Sequence, residues 1–211
     1  AGSLEVAAQA RRDATPYSYR RSVHSFSSRR SVGCVHARRE RARAMALPPA
    51  TASLPIEVGN AAYRGELEQV VKWLQKGGHV DALDEDRRGL LHMAAAGGRL
   101  GVAKELLKRG ASVDLRGAMD LTALMVAAMM SEHAMVRLLL EHKAIIDLQS
   151  ALGSTALMMA AGEGQQECVQ ELLQAGASTE LRNQHGFTAL QVAEDEGHAA
   201  IAELLRQHAA T

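Results

Sequence analysis

A block of apolar residues recurs in this chain every 33 residues. Its first clear copy is LHMAA at Leu91–Ala95, and the later copies begin at Leu124, Leu157 and Leu190. A fixed period of this length, without insertions, is typical of one supersecondary unit that stacks on copies of itself. The spacing therefore predicts a repeat solenoid and disfavours a globular enzyme core.

The polar and glycine positions between these blocks predict two helices per unit. Thr122, Thr155 and Thr188 stand directly before an Ala-Leu pair, where a hydroxyl can accept a hydrogen bond from the first helical turn, and Gly89 is the weaker cap of the preceding unit. A second helix follows, with apolar residues at i and i+4. These pairs are Val102 with Leu106, Met135 with Leu139, Cys168 with Leu172, and Ile201 with Leu205. Glycine is favoured just after a helix, and the glycines at these positions are Gly98, Gly110, Gly164, Gly176 and Gly197.

These positions together resemble the ankyrin repeat. The segments that carry the resemblance are Gly186–Leu190 with Gly197-His198, and Gly153–Leu157 with Leu172-Leu173 and Gly176-Ala177. The resemblance extends from about Pro55 to His208 and implies an all-α, ankyrin-type helical repeat solenoid, with two helices and a hairpin-like loop in each unit. We expect five units, over approximately residues 51–83, 84–116, 117–149, 150–182 and 183–211.

Three departures from the regular pattern fall in the third unit. Asp120, Ser131 and Lys143 stand where other units have glycine, so we expect this unit to be the least stable. The end units differ in another way. Gln69 fits the outward face of a first, degenerate unit, and Glu194 with Arg206 would be costly under a further repeat. We therefore expect the stack to end with the fifth unit.

Charge divides the chain into two parts. Residues 1–50 contain ten arginines and three acidic residues, whereas residues 51–211 contain 14 basic and 21 acidic residues. The first part lacks apolar periodicity and carries Arg pairs and serines, which predicts a disordered basic arm. Three interpretations of the arm remain open: a mitochondrial or chloroplast targeting segment, a functionless extension before Met45, and a nucleic-acid or anionic-surface contact.

Composition excludes several classes of protein. No stretch approaches 18 consecutive apolar residues, so a transmembrane helix is not expected. Cys34 and Cys168 are the two cysteines, which gives neither a disulfide framework nor zinc-ligand spacing and favours a reducing, intracellular and cytoplasmic setting. No phosphate loop or catalytic triad pattern occurs. His92 and Cys168 are interpreted as structural, and we expect neither enzymatic activity nor a metal or cofactor.

The ankyrin resemblance implies a partner-binding groove made of the hairpin tips and the exposed face of the first helices. Transferred position by position, the groove contains Glu85, Asp86, Arg88, Met119, Leu121, Met129, Met130, Leu152, Ser154, Glu163, His185, Phe187, Asp195 and Glu196. One hypothesis makes the six apolar members a hydrophobic hot spot with acidic flanks, and the other assigns several of them to the core. Met129 and Met130 are adjacent on a helix, so we expect one of them to be exposed.

The sequence thus predicts a monomeric, non-catalytic module that binds a partner protein or peptide through this groove. Binding of nucleic acid or an anionic surface through the Arg-rich arm is the alternative.

Overall fold

The computed structural model describes residues 53–209, and this part of the chain forms ten α-helices and no β-strand. Short turns join the helices into five consecutive pairs. The pairs are α1 (Ile56–Arg64) with α2 (Leu67–Gln75), α3 (Leu90–Ala96) with α4 (Leu100–Lys108), α5 (Ala123–Met129) with α6 (His133–Glu141), α7 (Ala156–Gly162) with α8 (Gln166–Gln174), and α9 (Ala189–Asp195) with α10 (Ala199–Ala209). A 3-10 turn, Ala118–Asp120, precedes α5.

The pairs stack in two rows. The first helices α1, α3, α5, α7 and α9 each pack on the next in chain order, and so do the second helices α2, α4, α6, α8 and α10. Each unit therefore contacts its neighbours in the chain, which is the defining property of a solenoid. The predicted all-α repeat architecture is confirmed, while the residue bounds of the individual units stay a prediction.

Small side chains let the first helices approach one another closely. Ala94, Ala127, Ala160 and Ala193 occupy the same position in four successive units, and all four are completely buried. In α5 all seven residues are buried. A helix this short has little stability of its own, so its folding depends on packing against the neighbouring units.

The predicted caps and core stripes are confirmed. The hydroxyls of Thr122, Thr155 and Thr188 accept hydrogen bonds from backbone N–H groups three residues later. At Thr188 the Gln191 side chain also accepts from the Thr188 N–H at 3.0 Å, which completes a capping box. The i and i+4 pairs of the second helices are buried in all four units for which they were predicted.

Left-handed backbone occurs just after each of the helices α1 to α9. Gly98, Gly164 and Gly197 have φ values of 65°, 74° and 79°, and Ser131 adopts the same conformation with φ 64°. After the second helices, Gly110 and Gly176 correspond in the same way to Lys143, whose φ is 66°. Side chains with a Cβ are strained in this region, so the third unit is strained at sites where its neighbours are relaxed.

The exposed ends of the stack carry polar side chains. Gln69 on α2 is exposed, as expected for an outward face. Glu194 on α9 and Arg206 on α10 are also exposed, and their side chains form an ion pair at 2.5 Å. The two charges that would be costly under a further unit therefore neutralise each other at the surface.

Candidate functional site

The predicted binding residues lie mainly at hairpin tips, which the backbone builds in the same way in four units. Each tip spans five residues, and the N–H of its first residue donates to the carbonyl of its last. The closing bonds are Asp84 to Arg88 at 2.9 Å, Gly117 to Leu121 at 2.8 Å, Ser150 to Ser154 at 3.0 Å, and Asn183 to Phe187 at 3.0 Å.

Hydrogen bonds also join neighbouring tips. The Ala151 N–H donates to the Met119 carbonyl at 2.8 Å, and the Gln184 N–H donates to the Leu152 carbonyl at 3.0 Å. The Gln184 side-chain amide adds a bond to the Ala151 carbonyl at 2.6 Å. These bonds fix the tips of the third, fourth and fifth units side by side, so the residues on them form one continuous strip. Each tip is numbered below by its unit.

Three large apolar side chains on this strip are accessible to solvent. Met119 is 45% exposed and Phe187 is 41% exposed, while Leu152, on the tip between them, is half-buried. We call these three residues the tip surface. Exposed large apolar residues elsewhere among residues 53–209 are Ile56, Leu67 and Ile145, none of which lies at a hairpin tip.

Two members of the predicted hydrophobic hot spot belong to the core instead. Leu121 is 4% exposed, and Met129 is buried at the end of α5. The Leu121 carbonyl accepts a hydrogen bond from the His92 side chain at 3.0 Å, which ties this residue to the second unit. The burial of Leu121 and Met129 agrees with the hypothesis that several of the six apolar residues belong to the core. Met130 is half-buried, so it is the more accessible methionine of the adjacent pair.

The second tip is polar and paired within itself. Arg88 contacts Asp84 at 2.8 Å and Asp86 at 3.0 Å, and its side chain is largely buried. Asp84 also accepts from the Arg88 N–H at 2.8 Å. Arg88 therefore holds this tip together, while Glu85 and Asp86 are exposed beside it.

Acidic side chains lie at the C-terminal ends of two first helices, which are the ends away from the tips. Glu163, Asp195 and Glu196 are exposed near the ends of α7 and α9. Partial burial and then the carboxylate of Glu196 raise the pKa of Glu163, although His198 opposes this shift. Glu163 and Glu196 are thus close enough to repel each other. His185 is exposed on the fifth tip, and Ser154 is half-buried on the fourth.

His92 and Cys168, the residues considered for reactivity, have structural roles. The His92 Nδ1 accepts from the Gly89 N–H at 3.2 Å and its Nε2 donates to the Leu121 carbonyl, which makes the ring neutral. Burial lowers the pKa of His92. Burial also raises the pKa of the Cys168 thiol to about 12, so it is not a reactive thiolate. Within residues 53–209, no group of three or more His, Cys, Asp or Glu side chains forms a possible metal site.

One repeated interaction was missed from the sequence. Asp81, Asp114 and Asp147 each accept a hydrogen bond from a backbone N–H in the next unit, at 2.9 to 3.0 Å. The donors are Ser112, Ile145 and Ser178. The three aspartates are 33 residues apart, and this spacing alone was the signal that could have revealed them.

The stacking and the tip geometry define a helical repeat protein in which a framework repeated from unit to unit carries tips of different sequence. A family model for ankyrin repeats, in three copies, matches residues 59–150 and 143–211. The chain belongs to the ankyrin repeat family. Ankyrin repeats are generally protein–protein interaction modules, and their fold is typically non-catalytic.

No match was found among curated proteins. In the described part of the chain, every helix is too short or too polar to cross a membrane. The Arg-rich arm, with its alternative nucleic-acid contact and possible targeting role, lies outside the described residues.

Proposed function

We propose that this protein binds a partner protein or peptide through the tip surface formed by Met119, Leu152 and Phe187. The observation that carries the proposal is the exposure of apolar side chains on tips that inter-unit hydrogen bonds hold in line. Exposed apolar residues on a fixed backbone gain contact area at a small entropic cost when a partner covers them. Met119 adds a polarizable side chain that adapts to the shape of the partner.

The acidic residues at the other edge of the groove refine the expected partner. A helix of seven residues is about 10 Å long, so roughly this distance separates the tips from Glu163, Asp195 and Glu196. A partner that contacts both edges presents an apolar side chain to the tip surface and a basic side chain to the carboxylates. The charges contribute mainly to the association rate and to selectivity, and the apolar contacts contribute most of the affinity.

Substitution of the two most exposed tip residues tests this proposal. The full chain serves as bait to capture partners, and each captured protein is then purified and titrated against the variants. We expect the double variant Met119→Ser with Phe187→Ser to weaken the dissociation constant at least about thirtyfold, because loss of a hot-spot side chain costs 2 kcal/mol or more.

Ile145→Ser is the matched control. Ile145 is 56% exposed, lies away from the tips, and occupies the position of Ser112 and Ser178 in the adjacent units. We expect this change to leave affinity within about twofold. An equal loss in both variants, or no loss in the tip variant, would contradict binding at the tip surface. Melting curves of all variants should remain close to that of the unsubstituted chain, since the changed side chains are exposed.

A further inference from the structure

The third unit contains four residues with a Cβ in the left-handed region. Met119, Asp120, Ser131 and Lys143 have φ values of 54°, 55°, 64° and 66°. Among residues 53–209, Arg87 is the one other non-glycine residue with positive φ. Left-handed backbone brings Cβ close to the following carbonyl oxygen, so each of these four residues is strained. The second and fourth units have glycine at the positions of Ser131 and Lys143.

The tip of the third unit also lacks a support that the other tips have. The side chains of Asp84, Ser150 and Asn183, each the first residue of its tip, accept a hydrogen bond from the N–H of the last residue at 2.8, 3.2 and 3.0 Å. Gly117 occupies this position in the third unit and offers no acceptor.

Packing against the second unit explains why glycine is required there. A Cβ on Gly117 would lie 2.9 Å from the Arg87 carbonyl oxygen and 2.9 Å from the His92 Nε2. The side-chain bond therefore cannot be added without moving both neighbours. The strained backbone and the missing acceptor affect one and the same unit.

We infer that the third unit is the weak point of the stack and opens locally before the second and fourth units. All three units are internal, so each is stabilised by two neighbours, and the comparison isolates the contribution of the unit itself. Local opening occurs most often in the least stable segments of a protein, and it exposes side chains that are buried in the closed state. Opening here releases the tip that carries Met119 together with the methionine-rich core of α5 and α6.

Buried methionines provide a probe for opening in each of the three units. Met93 in the second unit is 5% exposed, Met158 in the fourth is 3% exposed, and Met125 in the third is 1% exposed, while Met135 on α6 is also buried. Hydrogen peroxide transfers one oxygen atom to the thioether sulfur, giving a sulfoxide and releasing water. A buried methionine reacts when its unit opens, so its oxidation rate reports the open population.

The experiment treats the full chain with dilute peroxide and follows each methionine by peptide mass spectrometry. Initial rates are used, so that they reflect the first oxidation in each molecule. We expect Met125 and Met135 to oxidise at least about tenfold faster than Met93 and Met158, because several strained residues together shift the opening equilibrium by that factor or more. Equal rates, or faster oxidation of Met93 or Met158, would overturn the inference.

Glycine variants test whether strain causes the opening. Ser131→Gly and Lys143→Gly should each slow oxidation of Met125 and Met135 about fivefold, because they remove the clash of one Cβ. The reverse control is Gly176→Lys, which introduces the residue of the third unit into the fourth. An added Cβ on Gly176 meets no heavy atom within 4 Å, so the substitution adds strain without a clash.

We expect Gly176→Lys to speed oxidation of Met158 about fivefold while the rate at Met93 changes less. If the two glycine variants leave the rates at Met125 and Met135 unchanged, strain does not control the third unit and the inference fails. Amide hydrogen exchange of α5 and α6 against α7 and α8 gives a second measurement, in which the same order of opening is expected.

Discussion

At the scale of single residues, one repeat position can serve different purposes in different units. His92, Met125, Met158 and Gln191 all lie three residues after a helix cap. The side chains of Gln191 and His92 accept a hydrogen bond from the backbone N–H of the capping residue, at 3.0 and 3.2 Å. The thioether sulfur of methionine is too weak an acceptor to form this bond. His92 also bonds to the Leu121 carbonyl of the next unit, so it links a cap to a neighbour.

The buried imidazole makes the stability of the protein dependent on pH. Burial lowers the pKa of His92, so the unfolded chain binds this proton more readily than the folded one. The contribution of His92 is therefore complete above its ordinary pKa of about 6.5 and is lost as the pH falls below that value. His92→Gln should cost about 1 kcal/mol at pH near 7.5, through loss of the Leu121 bond.

The difference in unfolding free energy between the unsubstituted chain and His92→Gln should shrink at about pH 5, because proton binding to His92 in the unfolded state then destabilises only the unsubstituted chain. Urea denaturation of both proteins at the two pH values measures this change. Taking the difference cancels the contributions of the other titrating groups to the free energy of unfolding, because both proteins contain them. A constant difference would show that the ring does not titrate with unfolding.

Burial of single residues was only partly predictable. The threonine caps and the core stripes followed from the sequence because hydroxyl, apolar and glycine positions recur at fixed offsets. The sequence left open whether Leu121 lies at the surface with Met119 or in the core, and the structure buries Leu121 while Met119 is exposed. The left-handed backbone of Asp120 could be inferred from Gly153 and Gly186 at the same repeat position, whereas no glycine marks this conformation at the position of Met119.

At the scale of structural elements, hydrogen bonds between loops join consecutive units, in addition to the packing of the helices. The carboxylates of Asp81, Asp114 and Asp147 each accept a hydrogen bond from the residue four positions after the end of the next second helix. These bonds fix the distance between consecutive loops. In the fourth unit Glu180 occupies this position and is exposed. The periodic aspartates thus join units through hydrogen bonds that leave the helix faces free for apolar packing.

Asp114 offers a test of these inter-unit bonds. Asp114→Ala should lower the free energy of unfolding by about 1 kcal/mol, because the Ile145 N–H loses a charged acceptor at 3.0 Å and water replaces it only in part. Glu180→Ala is the control and should change stability by less than about 0.5 kcal/mol. Chemical denaturation measures both values, and an equal effect of the two substitutions would show that the bond to the next unit contributes nothing.

The helix pattern was predictable at this scale, whereas the interactions between loops were not. A 3.6-residue periodicity with caps marks a helix in any sequence, since its hydrogen bonds are local. The bonds from Asp81, Asp114 and Asp147 join residues 31 positions apart, and a lone aspartate in a loop is usually interpreted as solvated. The backbone hydrogen bonds between Met119 and Ala151 and between Leu152 and Gln184 join the tips of different units, so they required coordinates.

At the scale of the whole molecule, the described residues belong to the part of the chain in which acidic groups outnumber basic ones, while the arginine pairs lie before Met45. This distribution separates two kinds of binding. Contacts at the tip surface are mainly apolar, so they depend little on salt. Binding of nucleic acid through arginines would release counterions from the phosphates, and its affinity would fall steeply with salt concentration.

A chain that begins at Met45 distinguishes these two kinds of binding. We expect it to keep the affinity of the full chain for a captured protein partner within about threefold, because Met119, Leu152 and Phe187 all remain. Affinity for a DNA duplex is measured for both chains across a salt titration, and we expect only the full chain to bind. The logarithm of its association constant should fall linearly with the logarithm of salt concentration, with a slope of about −0.9 per phosphate contacted. Loss of the protein partner on truncation would instead assign its recognition to the arginine-rich arm, since the tip surface is unchanged by the deletion.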